Sequence, residues 1–329
     1  MPLRRSSTVV VLLICLLLLS LQTPSGVQSA GNLSACAAFA FSTEEDFVTQ
    51  GPLPADGNPV ISDGDLLGPN YTVCARNHEL LAIWQITADL GLDAVDVIDT
   101  ERSLVAFSTE LDDPQARFGN GELLVTNGVI IPNAALLTLF QAGPDLGLDA
   151  VHFVGVEAQI VKFLEENVDI APEAWLGGKL IESLNRYDVD IWFSTEGTSL
   201  TASTVQILDG TLLSARTGTI VVDQLALFAA SVPAGIPARG VDFGLDAVTA
   251  PRTADAAAVR FSTEILYRGE PTFTDGDVLR AGSGVEIPHV DLITPFEPMA
   301  RFLGVDALFM RFEQVGDLYL PIILHQIQE

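Results

Sequence analysis

Several common catalytic signatures are missing from this chain. It has no CxxC, no HExxH, no Walker-type glycine loop and no GxSxG elbow, which removes the usual redox, zinc-protease, phosphate-loop and serine-hydrolase routes to activity. Its histidines, His78, His152, His289 and His325, are scattered without carboxylates at metal-ligand spacing, so each reads as structural. Positive charge is scarce as well. Sixteen Lys+Arg stand against 43 Asp+Glu, a formal net charge of −27, and such a field repels phosphate backbones and anionic headgroups. Nucleic acid and acidic membranes are poor partners for it; divalent cations and cationic surfaces are not.

A long apolar run occurs only at the N-terminus. Arg4 and Arg5 precede the stretch from Val9 to Leu21, and the polar QTPSGVQSA follows, the order of a secretory signal over residues 1–30. The run is shorter than the roughly 20 residues a membrane helix needs. Cleavage near Ser29 or Ala30 would remove two arginines, leaving 14 basic against 43 acidic side chains, a net −29. The expected location is extracellular or cell-surface, with no membrane span in the mature chain. Cys15 lies inside the apolar run without the small residue a lipoprotein signal places before its cysteine. That leaves Cys36 and Cys74, natural disulfide partners in an oxidising compartment.

What the chain has in abundance is internal repetition. FSTE occurs at 41–44, 107–110, 193–196 and 261–264; GLDAV at 91–95, 147–151 and 244–248, with GVDAL at 304–308. Between them come SDGDLL (62–67), GNGELL (119–124), LDGTLL (208–213) and TDGDVL (274–279). GVIIPNAALLTLF (128–140) aligns with GVEIPHVDLITPF (284–296). Residues 148–166 also lie over 92–110 without a gap, placing Phe163 on Phe107 and Glu166 on Glu110, so a decayed copy is expected there. The implied units run over about 38–90, 91–146, 147–186 (partial), 187–243 and 244–303, with a closing segment 304–329, in a single domain 31–329.

Alternation in VAFSTE sets Val105, Phe107 and Thr109 on one face and Ala106, Ser108 and Glu110 on the other, as in a half-buried strand. Asp-Gly or Asn-Gly before each LL segment has the composition of a hairpin turn. Each unit therefore reads as four short antiparallel strands, LDAV, FSTE, GDLL and GVxI. The LLTLF tail either extends the last strand or makes a helical turn. Such units are typical of propeller blades. The mature N-terminus starts at AFAFSTE without an LDAV strand, and the C-terminus ends with an extra one, so pairing them would close the array and hide two edges. The expected fold class is all-β: a propeller-like array of four full units and one partial, about five blades. A β-sandwich pair or another β-repeat array is the alternative.

The repeats place Asp93, Asp149, Asp246 and Asp306 at one position and Glu44, Glu110, Glu196 and Glu264 at another. A residue present in every unit is first read as scaffold, bonding turns and neighbouring strands. The second reading is a ring of hard oxygen ligands for Ca²⁺. Asp63 with Asp65, and Asp275 with Asp277, bracket the turn glycine and carry the same two readings. The divergent stretch 155–190, with Trp175, Lys179 and Arg186, breaks the pattern and is the main asymmetry.

The repeat phrases and the closing LYLPIIL (318–324) resemble those of secreted bacterial repeat proteins of β-propeller type that carry a YLP-type tail. The resemblance brings no established activity and no catalytic residue. Two function classes follow. One is a noncatalytic extracellular module binding a protein, glycan or surface. The other is a propeller hydrolase, lactonase-like or glycosidase-like, using Ca²⁺ or central carboxylates. Near-identical units favour the first, because acid and base need different environments.

Overall fold

A computed structural model describes residues 32–142, 145–200, 206–315 and 318–321. The expected signal segment, 1–30, lies outside them, as do His325 and the last residues of the tail. Among the described residues the chain forms four four-stranded antiparallel sheets in an all-β repeat array. Sheet I comprises Leu308–Met310, Phe39–Phe41, Leu66–Gly68 and Thr72–Ala75 in spatial order. Sheet II is built from Val95–Asp99, Leu104–Phe107, Leu123–Val125 and Ile130–Ile131. Sheet III takes Val151–Val154, Asp190–Phe193, Leu212–Ser214 and Thr219–Val222. Sheet IV takes Val248–Thr249, Arg260–Phe261, Val278–Arg280 and Gly284–Ile287.

In each sheet the strand after GLDAV or GVDAL leads, and the FSTE strand pairs with it. Sheet I joins the two ends of the chain: Phe39, Ala40 and Phe41 pair with Met310, Phe309 and Leu308. The disulfide Cys36–Cys74, with Cα atoms 6.0 Å apart, staples the start of this segment to the last strand of the sheet. It passes over Gly68, where a Cβ would come 2.5 Å from Cys36 Sγ. The LLTLF tail is helical: Asn133–Leu136 and then a 3₁₀ turn over Thr138–Phe140.

Two expectations are corrected. The FSTE strands are not half-buried, since Leu104–Phe107 is buried at every residue. The cause is packing of each sheet on both faces. One hydrophobic core lies between sheets I and II, a second between II and III, a third between III and IV, and a fourth between IV and I. Phe107 and Val105 enter the I–II core while Ala106 enters the II–III core. The alternation divides two cores rather than core from solvent.

The expected partial unit at 147–186 forms no sheet of its own. Val151–Val154 leads sheet III, and the FSTE strand it pairs with comes 36 residues later, at Asp190–Phe193. The intervening chain is helical at Glu157–Glu166 and Leu180–Tyr187. Ile160, Val161, Phe163 and Leu164 share one buried helix face, so the apparent match to the FSTE phrase was carried by a residue type and not by its period. Trp175, fully buried, packs with Phe163 in the II–III core. No helix among the described residues is long and apolar enough to cross a membrane.

Candidate functional site

The GLDAV and FSTE phrases explain one another locally. Gly91, Gly147 and Gly244 adopt φ of +73°, +76° and +72°, a region glycine enters without a Cβ penalty. A Cβ on Gly91 would also lie 2.7 Å from Glu110 Cδ, and Glu196, Glu264 and Glu44 cover Gly147, Gly244 and Gly304 in the same way. The FSTE glutamate of each sheet therefore lies over the glycine that opens its lead strand.

The serine of the same phrase reaches across to the next sheet. Ser42 Oγ donates to the Leu92 carbonyl at 3.0 Å, Ser108 Oγ to that of Leu148 at 3.1 Å and Ser194 Oγ to that of Leu245 at 2.8 Å. The threonine bonds its own turn, as in Thr109 Oγ1 to the Leu111 carbonyl at 3.0 Å. Both hydroxyls are scaffold, as the first reading of the repeat expects.

The aspartates are different. Asp93, Asp149, Asp246 and Asp306 are only 6, 4, 5 and 6% exposed, yet among the described residues only Asp93 has a neutral donor, Ser108 Oγ at 3.0 Å. Among the described residues, Oδ2 of Asp149, of Asp246 and of Asp306 has no hydrogen-bond partner. Among the described residues, none of the four aspartates, and none of Glu44, Glu110, Glu196 and Glu264, forms an ion pair. Burial first, and then the charges of the other carboxylates, raises all four aspartates well above the ordinary range. Burial likewise pushes Glu44 and Glu264 up to about 7 and raises Glu110 and Glu196. For Asp306 the charges that add to burial are those of Asp246, Asp93, Glu110 and Asp149.

The second set of expected ligands splits in two. Asp65 Oδ2 accepts from Ser62 N at 3.1 Å and Arg76 Nη1 at 2.5 Å, and Oδ1 from Asn77 N at 3.1 Å. Asp277 does the same work, accepting from Thr274 N at 2.7 Å and His289 N at 2.8 Å. These two are occupied in holding their turns. Asp63 and Asp275 instead border the glutamates. Asp63 is pushed up to about 6 by burial and then by the charges of Glu110, Asp89 and Asp46, while Asp275 helps raise Glu44, as Asp209 does Glu264. At the equivalent place between sheets II and III, Asn120, Asp145 and Glu196 line an open hollow of about 460 Å³.

Two kinds of residue were not singled out by sequence. Asn77 and Asn133 open the short helices and clamp the following LGLDAV segment: Asn77 Oδ1 accepts from Leu90 N at 3.0 Å and Nδ2 donates to the Gly91 carbonyl at 3.0 Å, and Asn133 repeats both bonds with Leu146 and Gly147. The IPN and IPH alignment held that signal. The other kind had none. Further along the lead strands, buried Asp96 is bound bidentately by Arg252, at 2.9 Å to each oxygen, and accepts from Phe153 N at 2.6 Å. Arg252 also donates to the Phe153 and Val97 carbonyls at 2.6 and 3.1 Å. Beside them His152 is buried, which lowers it to about 4, and it borders a cavity of about 260 Å³.

Lys179 and Arg186 of the divergent stretch are engaged locally, Lys179 with Glu182 at 3.2 Å and Arg186 with Glu166 at 3.6 Å. Among the described residues, no group of three or more Asp, Glu, His or Cys side chains could hold a metal ion. No family model, curated protein or solved structure matches this chain.

Proposed function

We propose that this chain is a secreted, noncatalytic binding module in which sheets I to IV are the blades of a four-bladed propeller, and that the aspartate end of its lead strands is the face that meets a partner. The cyclic order of the four inter-sheet cores supports the propeller reading. The disulfide and the N-terminal apolar run support export. The repeat phrases and the YLP-type tail support kinship with exported bacterial repeat proteins.

One observation carries the functional part. Every sheet sends one aspartate and one glutamate to the same end, a further acid borders the glutamate at each of the four junctions, and among the described residues none of the eight carboxylates meets a cation of the protein itself. Such a face selects positively charged partners: a basic protein segment, a cationic glycan or surface, or metal ions. A hydrolase needs one acid and one base in contrasting environments, and the four positions are near-equivalent.

The test is binding and turnover measured side by side. Mature protein is titrated with cationic peptides and with aminated and neutral glycans at low and physiological salt. The expected result is salt-sensitive binding that the variant Asp63→Asn, Asp209→Asn, Asp275→Asn weakens by an order of magnitude or more, with no turnover of lactones or glycosides. Turnover that Glu44→Gln or Glu264→Gln abolishes would instead establish the hydrolase.

A further inference from the structure

We infer that the cavity where the lead strands of sheets III, IV and I finish is a binding site for a small, uncharged aromatic compound carrying a hydroxyl group, anchored by His152. It lies at the end of the lead strands away from the acidic face and is independent of how that face is used.

The repeat itself singles out the position. The residue that follows LDAV in the first three lead strands, and VDAL in the last, is Asp96, His152, Thr249 or Phe309. The phrase before it is nearly constant, yet this residue is different in all four units, and each lead strand packs against those of the neighbouring sheets. Unlike side chains therefore meet at one level of the array. His152 Nδ1 lies 3.5 Å from Asp96 Oδ2. Thr249 Oγ1 accepts from Met310 N at 3.1 Å and donates to the Met310 carbonyl at 3.3 Å. Beside them is the cavity of about 260 Å³, walled by Ala250, Pro251, Phe309, Met310 and Phe312 together with His152. That volume is just below the usual range of small-molecule sites, so its occupant is small.

His152 supplies the polar anchor. It is 1% exposed, and among the described residues its Nε2 is buried with no hydrogen-bond partner. Buried polar groups are bonded as a rule, so an occupant of the cavity completes the set. Asp96 fixes the kind of bond. A carboxylate only accepts, so Nδ1 beside it carries the ring hydrogen and Nε2 keeps a lone pair; the occupant must donate. Burial lowers His152 to about 4, so at neutral pH the ring is uncharged and that lone pair is free. The charged groups at the cavity are matched already: Arg252 with Asp96 at 2.9 Å to each oxygen, and Arg311 with Glu157 at 3.5 Å. With no surplus charge to offer, the site selects a neutral ligand. Phe309, Phe312 and the Met310 sulfur favour an aromatic one. Glu157 opens the helix Glu157–Glu166, which ties the divergent stretch to the same cavity.

The probes are phenol and toluene, alike in shape, of which only phenol can donate a hydrogen bond. Mature protein labelled with nitrogen-15 at histidine is titrated with each at neutral pH, and the ring nitrogens are followed by nuclear magnetic resonance. The free protein should show His152 Nε2 without a hydrogen. Phenol should shift that resonance saturably and bind about tenfold tighter than toluene, the worth of one hydrogen bond to a buried acceptor. Thr253 is exposed and borders the cavity, so Thr253→Trp blocks it without entering the core; saturation should vanish while the melting temperature and the His152 tautomer stay as in the parent. His152→Phe should bind phenol no better than toluene, and Thr253→Trp keeps the test decisive whether or not that variant folds. Toluene binding as tightly as phenol overturns the inference, as does the lack of a saturable response to phenol. So does a response that survives Thr253→Trp, or an Nε2 that carries the hydrogen in the free protein.

Discussion

The lead strands carry buried carboxylates in two places, and the difference between them separates a structural charge from an available one. In the strand bodies, Asp96 is matched by Arg252 and by the Phe153 amide, and Arg252 gives a further hydrogen to each of the Phe153 and Val97 carbonyls. At the strand starts, Asp93, Asp149, Asp246 and Asp306 are as deeply buried, yet they face one another and the glutamates instead of a counter-ion. Burial is common to both, and pairing is what distinguishes them.

The largest effect is expected from unpairing Asp96. Arg252→Met leaves Asp96 buried without its cation and orphans two carbonyls, and the expected loss is about 3–5 kcal/mol, read as a lower midpoint in urea. An unchanged midpoint would show that the pair makes no net contribution to stability. A smaller effect is expected where the sheets are stitched. Ser194→Ala strands the buried Leu245 carbonyl and should cost about 1–3 kcal/mol, whereas Ser262→Ala, with no bond to lose, should cost less in the same assay.

The pH dependence tests the unpaired cluster. Glu44 and Glu264 rise from 4.5 to about 7 on folding, so the native state holds protons that the unfolded chain has released. Their contribution is complete below about 4.5 and is lost as pH climbs through about 7. Asp63, at about 6, acts in the same direction. His152, lowered from 6.5 to about 4, acts oppositely: its contribution is present above 6.5 and fades as pH falls toward 4. Carboxylates outnumber it, so in chelator the melting temperature should be higher at pH 6 than at pH 8; the reverse order would mean the acidic ring is not self-repelling. The smallest expected change is from Asp306→Asn alone, within about 1 kcal/mol of the parent or slightly more stable, since it removes repulsion without unpairing a cation. A loss as large as that of Arg252→Met would make this aspartate scaffold.

Much of this was legible in the repeats. Four strands per unit, their order and the pairing of Phe39–Phe41 with the surplus C-terminal strand follow from the recurring phrases, and the Cys36–Cys74 staple from the two cysteines left outside the apolar run. The number of sheets did not follow, because EAQIVKFLEE matches a strand phrase at Phe163 and Glu166 while its apolar residues keep helical period. The acidic position was visible as a repeat, but its meaning was not. Asp65 and Asp93 look equally repeated, and only their partners divide them: Arg76 and two amides for one, a single hydroxyl for the other.

By itself the sequence determined the strand grammar, since turn glycines, alternation and closure are local or repeated properties that any one unit shows in full. Tertiary structure alone decided which carboxylates are matched. Asp96 and Arg252 lie 156 residues apart and neither belongs to a repeated phrase, so no periodicity could pair them. The unpartnered oxygens of Asp149, Asp246 and Asp306 arise only when separate sheets bring identical charges to one place. Electrostatic environment is a property of neighbours in space, and a repeat repeats the residue without saying what it will face.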